Sequence, residues 1–184
     1  MEYKIRRSNR KSIGLEITDA RLLVRAPQKA SVRDIERVIS QHHDWISKKM
    51  EQHKKAASAA REKGLLSQDD IRHLAEAARS YIPGRVNHYA QQLGVRPGKI
   101  TIRNQKTRWG SCSAKGNLNF NCLLMLTPKE VTDSVIVHEL CHLLEMNHSK
   151  KFYEHVLSVF PDYYRCHAWL KKNGPEIMLR GHGK

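Results

Sequence analysis

Cysteine is scarce in this chain, and its spacing argues against a cysteine-based metal site. The 184 residues contain four cysteines. No two of them form the C-x-x-C pair that is typical of structural zinc sites. Isolated thiols of this kind fit a reducing compartment better than a disulfide-stabilised secreted domain. The four residues are Cys112, Cys122, Cys141 and Cys166.

The sequence also lacks a long apolar segment. No apolar run approaches the ~20 residues that a membrane-spanning helix needs, and the first seven residues, Met1 to Arg7, have no apolar signal region. We therefore expect a cytoplasmic protein that has no membrane partner. Nothing in the sequence indicates its oligomeric state.

Acidic residues are outnumbered, and aromatic residues are few. The formal net charge is +15, and aromatic residues make up 7% of the chain. The positive charge is spread along the sequence instead of forming a basic tail. It predicts either a soluble, mutually repelling surface or attraction to anions such as nucleic acid or nucleotides. The aromatic-rich modules that read nucleic acid are absent, which weakens the second interpretation.

A metal-binding motif stands out against this background. His138 and His142 are four residues apart, so on a helix their imidazoles project from one face and can bind the same ion. Glu139 follows the first histidine and completes the pattern H-E-x-x-H. It is rotated roughly 100° around the helix from that histidine. From there it can act as general base toward a water molecule activated by the metal.

The sequence around this motif predicts a buried helix. Thr127, Pro128 and Glu130 form a capping box that has proline at the first helical position. From there the pattern is helical to about Met146 and is apolar on nearly every side, as in a buried helix. Two histidines and a glutamate inside such a helix are costly unless something binds them, and a divalent metal would bind both histidines.

A third metal ligand is predicted just after this helix. His148 lies six residues past His142, at the spacing found in longer zinc-binding motifs. If the helix stops at Met146 or Asn147, with Asn147 in the left-handed conformation, His148 swings back toward the metal. Glu145 is the alternative third ligand, because it lies three residues after His142.

The remaining segments predict an α+β fold with an N-terminal antiparallel sheet in residues 1 to about 27 and a turn at residues 18–20. Helices are predicted from Ser31 to Ile46 and from Ser67, the second kinked or interrupted at Pro83-Gly84. Residues 51–64 are either an extension of the first helix or a linker.

The segments around the motif predict further strands and helices. A strand at 99–103 and a hairpin over 108–122, turning at 114–116, come before the metal helix. Two C-terminal helices start at Ser149 and at Pro161-Asp162, the second ending at Gly174, and the last residues look frayed.

Several of these motifs, in this order, resemble the YgjP-like metal-dependent hydrolases, which are relatives of zinc metallopeptidases of the gluzincin, SprT and WLM types. The matching segments span residues 21 to 170. They are Arg21 to Pro27, Trp45-Ile46, Thr107 to Ser113, Asn117 to Asn121, His138 to His142, Asn147 to Ser149 and Pro161 to Tyr163.

The resemblance implies one domain over residues 1–184, with an N-terminal sheet and helix in 1–66 and a zincin-like catalytic half in 67–184. It implies that His138, His142 and His148 bind the metal and that Glu139 is the catalytic acid or base. Three imidazoles and a water make the four-coordinate open site typical of Zn²⁺. Hydrolysis of a peptide or protein is the first reading. The alternatives are hydrolysis of a nucleotide or nucleic-acid-linked substrate, and a nucleic-acid-docking module without turnover.

Other residues near the motif leave alternatives open. Trp109-Gly110 lies on the strand expected beside the metal helix, where it either pairs with an extended substrate or belongs to the core. Tyr163 and Tyr164 either donate to an oxyanion or pack structurally. His155 and His167 are expected at the surface or behind the ligands. They are not expected to bind the metal.

Overall fold

The computed structural model describes residues 2–18 and 21–182 and shows an α+β protein with two small mixed sheets and six α-helices. Its contacts divide the chain into two compact units, residues 1–59 and 60–184. None of the helices in the described residues is both long and apolar enough to cross a membrane.

The first unit contains a three-stranded sheet that is mixed, so the prediction of an antiparallel sheet is wrong for one pairing. Its strands are β1 (Tyr3–Ser8), β2 (Gly14–Thr18) and β3 (Arg21–Pro27). The central strand, β3, pairs antiparallel with β2 and parallel with β1. Because β2 occupies one edge of β3, β1 must use the other edge, where it runs in the same direction as β3. The turn predicted at 18–20 lies outside the described residues, except for the backbone of Thr18.

Two helices follow this sheet. Helix α1 (Val32–Gln41) begins where predicted, since the Ser31 hydroxyl accepts the Asp34 N–H at 3.1 Å. It ends at His42, before the predicted end at Ile46. Helix α2 (His43–Lys63) then carries the charged segment, which is therefore helical and not a linker.

The second unit begins with the last residues of α2 and continues with the long helix α3 (Gln68–Leu93). Ser67 and Asp70 form its capping box, and Gly94 ends it in the left-handed conformation at φ 66°. Of the two alternatives at Pro83-Gly84, the interruption is wrong, because α3 continues through both residues. The kink stays a prediction. A proline inside a helix removes one backbone donor. In a helix of 26 residues, the remaining bonds and the packing of the apolar face maintain the helix.

A second small sheet precedes the motif helix. It consists of β4 (Ile100–Arg103), β5 (Gly110–Cys112) and β6 (Leu118–Asn121), in the order β4-β6-β5. The predicted hairpin is confirmed, since β5 and β6 pair antiparallel. Gly116 lies in the tight turn at φ 73°. Strand β5 is an edge of this sheet.

The motif helix, α4 (Lys129–Cys141), is shorter than predicted at both ends. The Thr127 hydroxyl donates to the Leu124 carbonyl at 2.8 Å, at the end of a 3-10 helix (Cys122–Leu126), and is not the predicted cap. At the other end, the N–H groups of Leu143 and Leu144 bond the carbonyls three residues back. The chain therefore leaves the helix about five residues before Met146.

Two C-terminal helices complete the second unit. Ser149 caps α5 (Lys150–Val159) as predicted. Helix α6 (Tyr163–His182) runs past the predicted end at Gly174 and includes Arg180, so the expectation of frayed residues is wrong up to His182. Its last turns are anchored, because the Arg180 carbonyl accepts the Leu66 N–H at 2.9 Å and the Arg180 guanidinium donates to Gly64.

Helix α4 lies in the core of the second unit, and ten of its thirteen residues are buried. One of these buried residues is Asp133. Its carboxylate accepts a hydrogen bond from the Arg85 guanidinium of α3 at 2.7 Å. The hydroxyl of Tyr89 donates to the same carboxylate at 3.2 Å. This ion pair, together with apolar packing, fixes α4 against α3 and so holds the motif in place.

Candidate metal centre

Three histidine rings converge where α4 ends. One ring nitrogen from each of His138, His142 and His148 can be chosen so that all three lie within 4.8 Å of one another. The Nε2 atoms of His138 and His148 are 3.0 Å apart. The structure thus brings together the three residues that the sequence analysis proposed as ligands.

The turn after α4 explains how His148 reaches the other two. His142 ends the helix, and the chain reverses before Ser149 begins α5. Glu145 approaches the cluster through its backbone, because its carbonyl lies 3.2 Å from Nδ1 of His142. Its carboxylate is not part of the convergent group. The choice of His148 over Glu145 as third ligand remains a prediction.

Hydrogen bonds at the far side of two rings orient the cluster. A carbonyl can only accept, so the contact with Glu145 places the proton of His142 on Nδ1 and leaves Nε2 with a free lone pair. Nδ1 of His138 lies 2.9 Å from the hydroxyl of the buried Tyr163. Metal-binding histidines characteristically use their second nitrogen in this way.

Tyr163 and Phe152 contact the histidine rings, and the sequence did not predict either contact. Tyr163 was proposed as an oxyanion donor or a packing residue, and its contact with His138 joins α6 to α4 across 25 positions. The sequence had drawn attention to Tyr163 through the family motif and as a candidate oxyanion donor, but not as a partner of His138. Phe152 is fully buried, and its ring centroid lies 4.7–4.9 Å from those of all three histidines. The sequence signal that could have identified Phe152 is its position in the first turn of the helix that follows His148.

In the metal-free protein, burial is the main cause of the lowered pKa values of His138 and His142. It lowers the pKa of His138 to about 3, and the neighbouring His142 and His148 act in the same direction. The pKa of His142 is also lowered, mainly by burial. Both rings are therefore neutral at pH 7. A neutral imidazole with a free nitrogen is the form that binds a metal, so the donor set fits a divalent ion.

Glu139 lies next to this cluster and is 7% exposed. Burial raises its pKa to about 7, although the Cys112 backbone N–H and the charge of Arg108 lower it. A Cβ atom placed on Gly110 would lie 2.7 Å from both Cγ and Oε1 of Glu139. The close approach expected of this glycine is therefore made by the glutamate, and a larger residue would displace it.

A cavity of about 310 Å³ opens onto Glu139 and His138. Residues 107–110 form one wall, and α4 and α6 form the others. Trp109 is half-buried, lines this cavity and packs on Gly174, so it belongs to both the wall and the core. His167 also lines the cavity, and neither His167 nor His155 belongs to the convergent histidine group.

A family model, the YgjP-like metallopeptidase domain, matches residues 11–75 and 67–173. The chain belongs to the YgjP-like family. This confirms the resemblance based on the sequence motifs. Membership of a metallopeptidase-domain family supports a metal-dependent hydrolase.

Two solved structures are similar to part of this YgjP-like chain. They are metallopeptidase zymogens, abylysin of Pyrococcus abyssi and jannalysin of Methanocaldococcus jannaschii. The first is 26% identical and the second 23%, each with a TM-score of 0.45. The match covers 50% of this chain in both cases, and 93% and 94% of the respective neighbours. No curated protein matches the chain.

Proposed function

We propose that this protein is a zinc-dependent peptidase of zincin-like architecture in its second unit. The observation that carries the proposal is the convergence of three histidine nitrogens directly beside the buried Glu139, at the wall of an open cavity. His138, His142 and His148 would hold the ion, and three imidazoles with one open position are the donor set of catalytic zinc.

The metal would supply Lewis acidity toward a water molecule and toward the carbonyl of the bond to be cut. The chain supplies the proton transfers. The carboxylate of Glu139 accepts the proton of the attacking water and returns it to the leaving nitrogen. In the metal-free protein, burial raises the pKa of this carboxyl to about 7. A divalent cation bound beside it would lower that pKa and favour the carboxylate, which is the form that accepts a proton.

The surroundings of Glu139 support a peptide as substrate. The edge strand β5 lies against Glu139, and Gly110 brings its backbone close. An edge strand offers unpaired N–H and C=O groups to an extended chain, the mode in which peptides add to sheets. The nucleotide alternative has only the net charge of +15 in its favour.

The test is a paired screen of the zinc-loaded protein on quenched peptide substrates and on nucleotides. We expect peptide cleavage that requires zinc and is lost in His142→Ala. Elemental analysis of the same samples should find about one zinc per chain in the parent and much less in the variant. Cleavage of nucleotides alone, or unchanged zinc in His142→Ala, would contradict the proposal.

A further inference from the structure

We infer that Arg108 makes the cavity beside Glu139 a binding site for a carboxylate of the substrate, so that bonds next to an acidic group are cut preferentially. The inference rests on the proposed peptidase function and names its substrate class. It comes from the walls of the cavity and from an arginine whose guanidinium makes no hydrogen bond or ion pair within the described residues.

The cavity has apolar walls and one strongly cationic side chain. Trp109, Val135 and Leu170 line it with apolar surface, while Arg108 is exposed at its side. The cavity also contains His138 and Glu139, so a substrate positioned for cleavage must place neighbouring atoms in it. An apolar stem ending in a negative group matches these walls.

The backbone of Arg108 is fixed, whereas its guanidinium is unpaired. The fully buried Asn121 donates from Nδ2 to the Arg108 carbonyl at 2.9 Å and to the Gln105 carbonyl at 2.7 Å. Within residues 2–18 and 21–182, the guanidinium makes no hydrogen bond or ion pair. The structure therefore fixes the backbone of Arg108 at the wall of the cavity and leaves the donors of its guanidinium free.

The N–H donors of the Arg108 guanidinium favour a carboxylate as their ligand. The planar guanidinium presents a fixed fork of N–H groups that matches the two oxygens of a carboxylate. The charge of Arg108 lowers the pKa of the Glu139 carboxyl. Within the described residues, however, the guanidinium makes no hydrogen bond to that carboxylate, so its donors remain available to a carboxylate of the substrate. The ligand can be an acidic side chain near the cleaved bond or the free end of a peptide, since both present the same group.

The experiment uses randomised octapeptide libraries and the zinc-loaded parent protein, with cleavage sites read by mass spectrometry. We expect Glu and Asp next to the cleaved bond to be enriched about 2- to 5-fold, the scale of an ion pair made by a solvent-exposed arginine. Arg108→Gln should bring this enrichment close to background. Lys106→Gln is the matched control, since Lys106 is exposed in the same loop and does not line the cavity.

Libraries with blocked and free carboxyl termini distinguish the two sources of carboxylate. Enrichment in both libraries identifies an acidic side chain, whereas cleavage near the terminus in the free library alone identifies the chain end. Cleavage without acid preference, or a preference that survives Arg108→Gln, would overturn the inference. So would an equal loss at acidic and neutral sites in that variant, because Arg108 would then act on the reaction itself.

A direct binding measurement tests the carboxylate site independently of peptidase activity. Ligand-observed NMR compares N-acetylglutamic acid α-amide with N-acetylglutamine α-amide, which differ only in the charged group. The acid should bind the parent and Lys106→Gln more tightly than the amide does, and Arg108→Gln should lose the difference. If no peptide is cleaved but this pattern holds, the peptidase proposal fails and the carboxylate site stands. Equal binding of the two compounds overturns the carboxylate site.

Discussion

The substitution Glu139→Gln tests two properties of this residue. One is its role as general base, and the other is the effect of its buried charge on the free energy of unfolding. Glutamine keeps the length and shape of the side chain but cannot accept a proton from water. Turnover should therefore fall by about 100-fold or more, the scale of a lost general base. Because Glu139 is not one of the proposed ligands, zinc content should stay near that of the parent.

The same substitution has a calculable effect on the metal-free protein. Burial raises the pKa of Glu139 from 4.5 to about 7, which corresponds to roughly 3 kcal/mol against the ionised form in the folded state. A carboxyl whose pKa is raised on folding contributes stability that is full below pH 4.5 and is lost as pH rises through about 7. Glutamine does not ionise. We therefore expect the metal-free variant to be more stable than the parent at pH 8, by up to ~3 kcal/mol.

The assay is urea denaturation of both proteins in chelator at pH 4.5 and pH 8. His138 titrates in both proteins, so comparing them at each pH isolates the contribution of Glu139. The stability gain over the parent should be larger at pH 8 than at pH 4.5 by roughly 3 kcal/mol. Glu154→Gln, at an exposed position on α5, should show no such pH-dependent gain. A gain that is equal at both pH values, or zinc lost on Glu139→Gln, would refute the reasoning.

Three further predictions concern residues around the site. Gly110→Ala should cut turnover by at least ~10-fold without loss of zinc, because its methyl group displaces the general base, while Gly84→Ala, with open space around it, should leave kinetics unchanged. Tyr163→Phe should weaken zinc binding by about 10- to 100-fold in a chelator competition, since it removes the hydroxyl behind a ligand ring. Arg85→Met should lower the free energy of unfolding by roughly 2 kcal/mol in urea titrations, less than for a fully buried pair because the arginine is partly exposed. Adding Asp133→Asn should recover part of that loss.

Local sequence signals predicted the features that depend on a few neighbouring residues. Ser31, Ser67 and Ser149 cap the helices they were expected to cap, because a capping hydroxyl bonds a backbone N–H three residues on. The β5–β6 hairpin followed from alternating residues around a turn glycine. The convergence of the histidines followed from helical spacing and from a chain reversal before Ser149.

Features set by distant partners could not be predicted in this way. The parallel pairing of β1 depends on which edge of β3 is free, and strand periodicity carries no information about that. Thr127 looked like a helix cap, but its hydroxyl bonds the 3-10 helix that precedes it. The contact between Tyr163 and His138 depends on how α6 packs on α4. No spacing in the sequence encodes it.

The central claim is that His148 completes a zinc site with His138 and His142. Chelator competition on purified protein tests it most directly, by comparing the zinc affinity of the parent with those of His148→Ala and Glu145→Ala. We predict that His148→Ala binds zinc far more weakly than the parent, while Glu145→Ala stays close to the parent because only the backbone carbonyl of Glu145 touches the site. The reverse ranking, or an affinity unaffected by His148→Ala, would contradict the account.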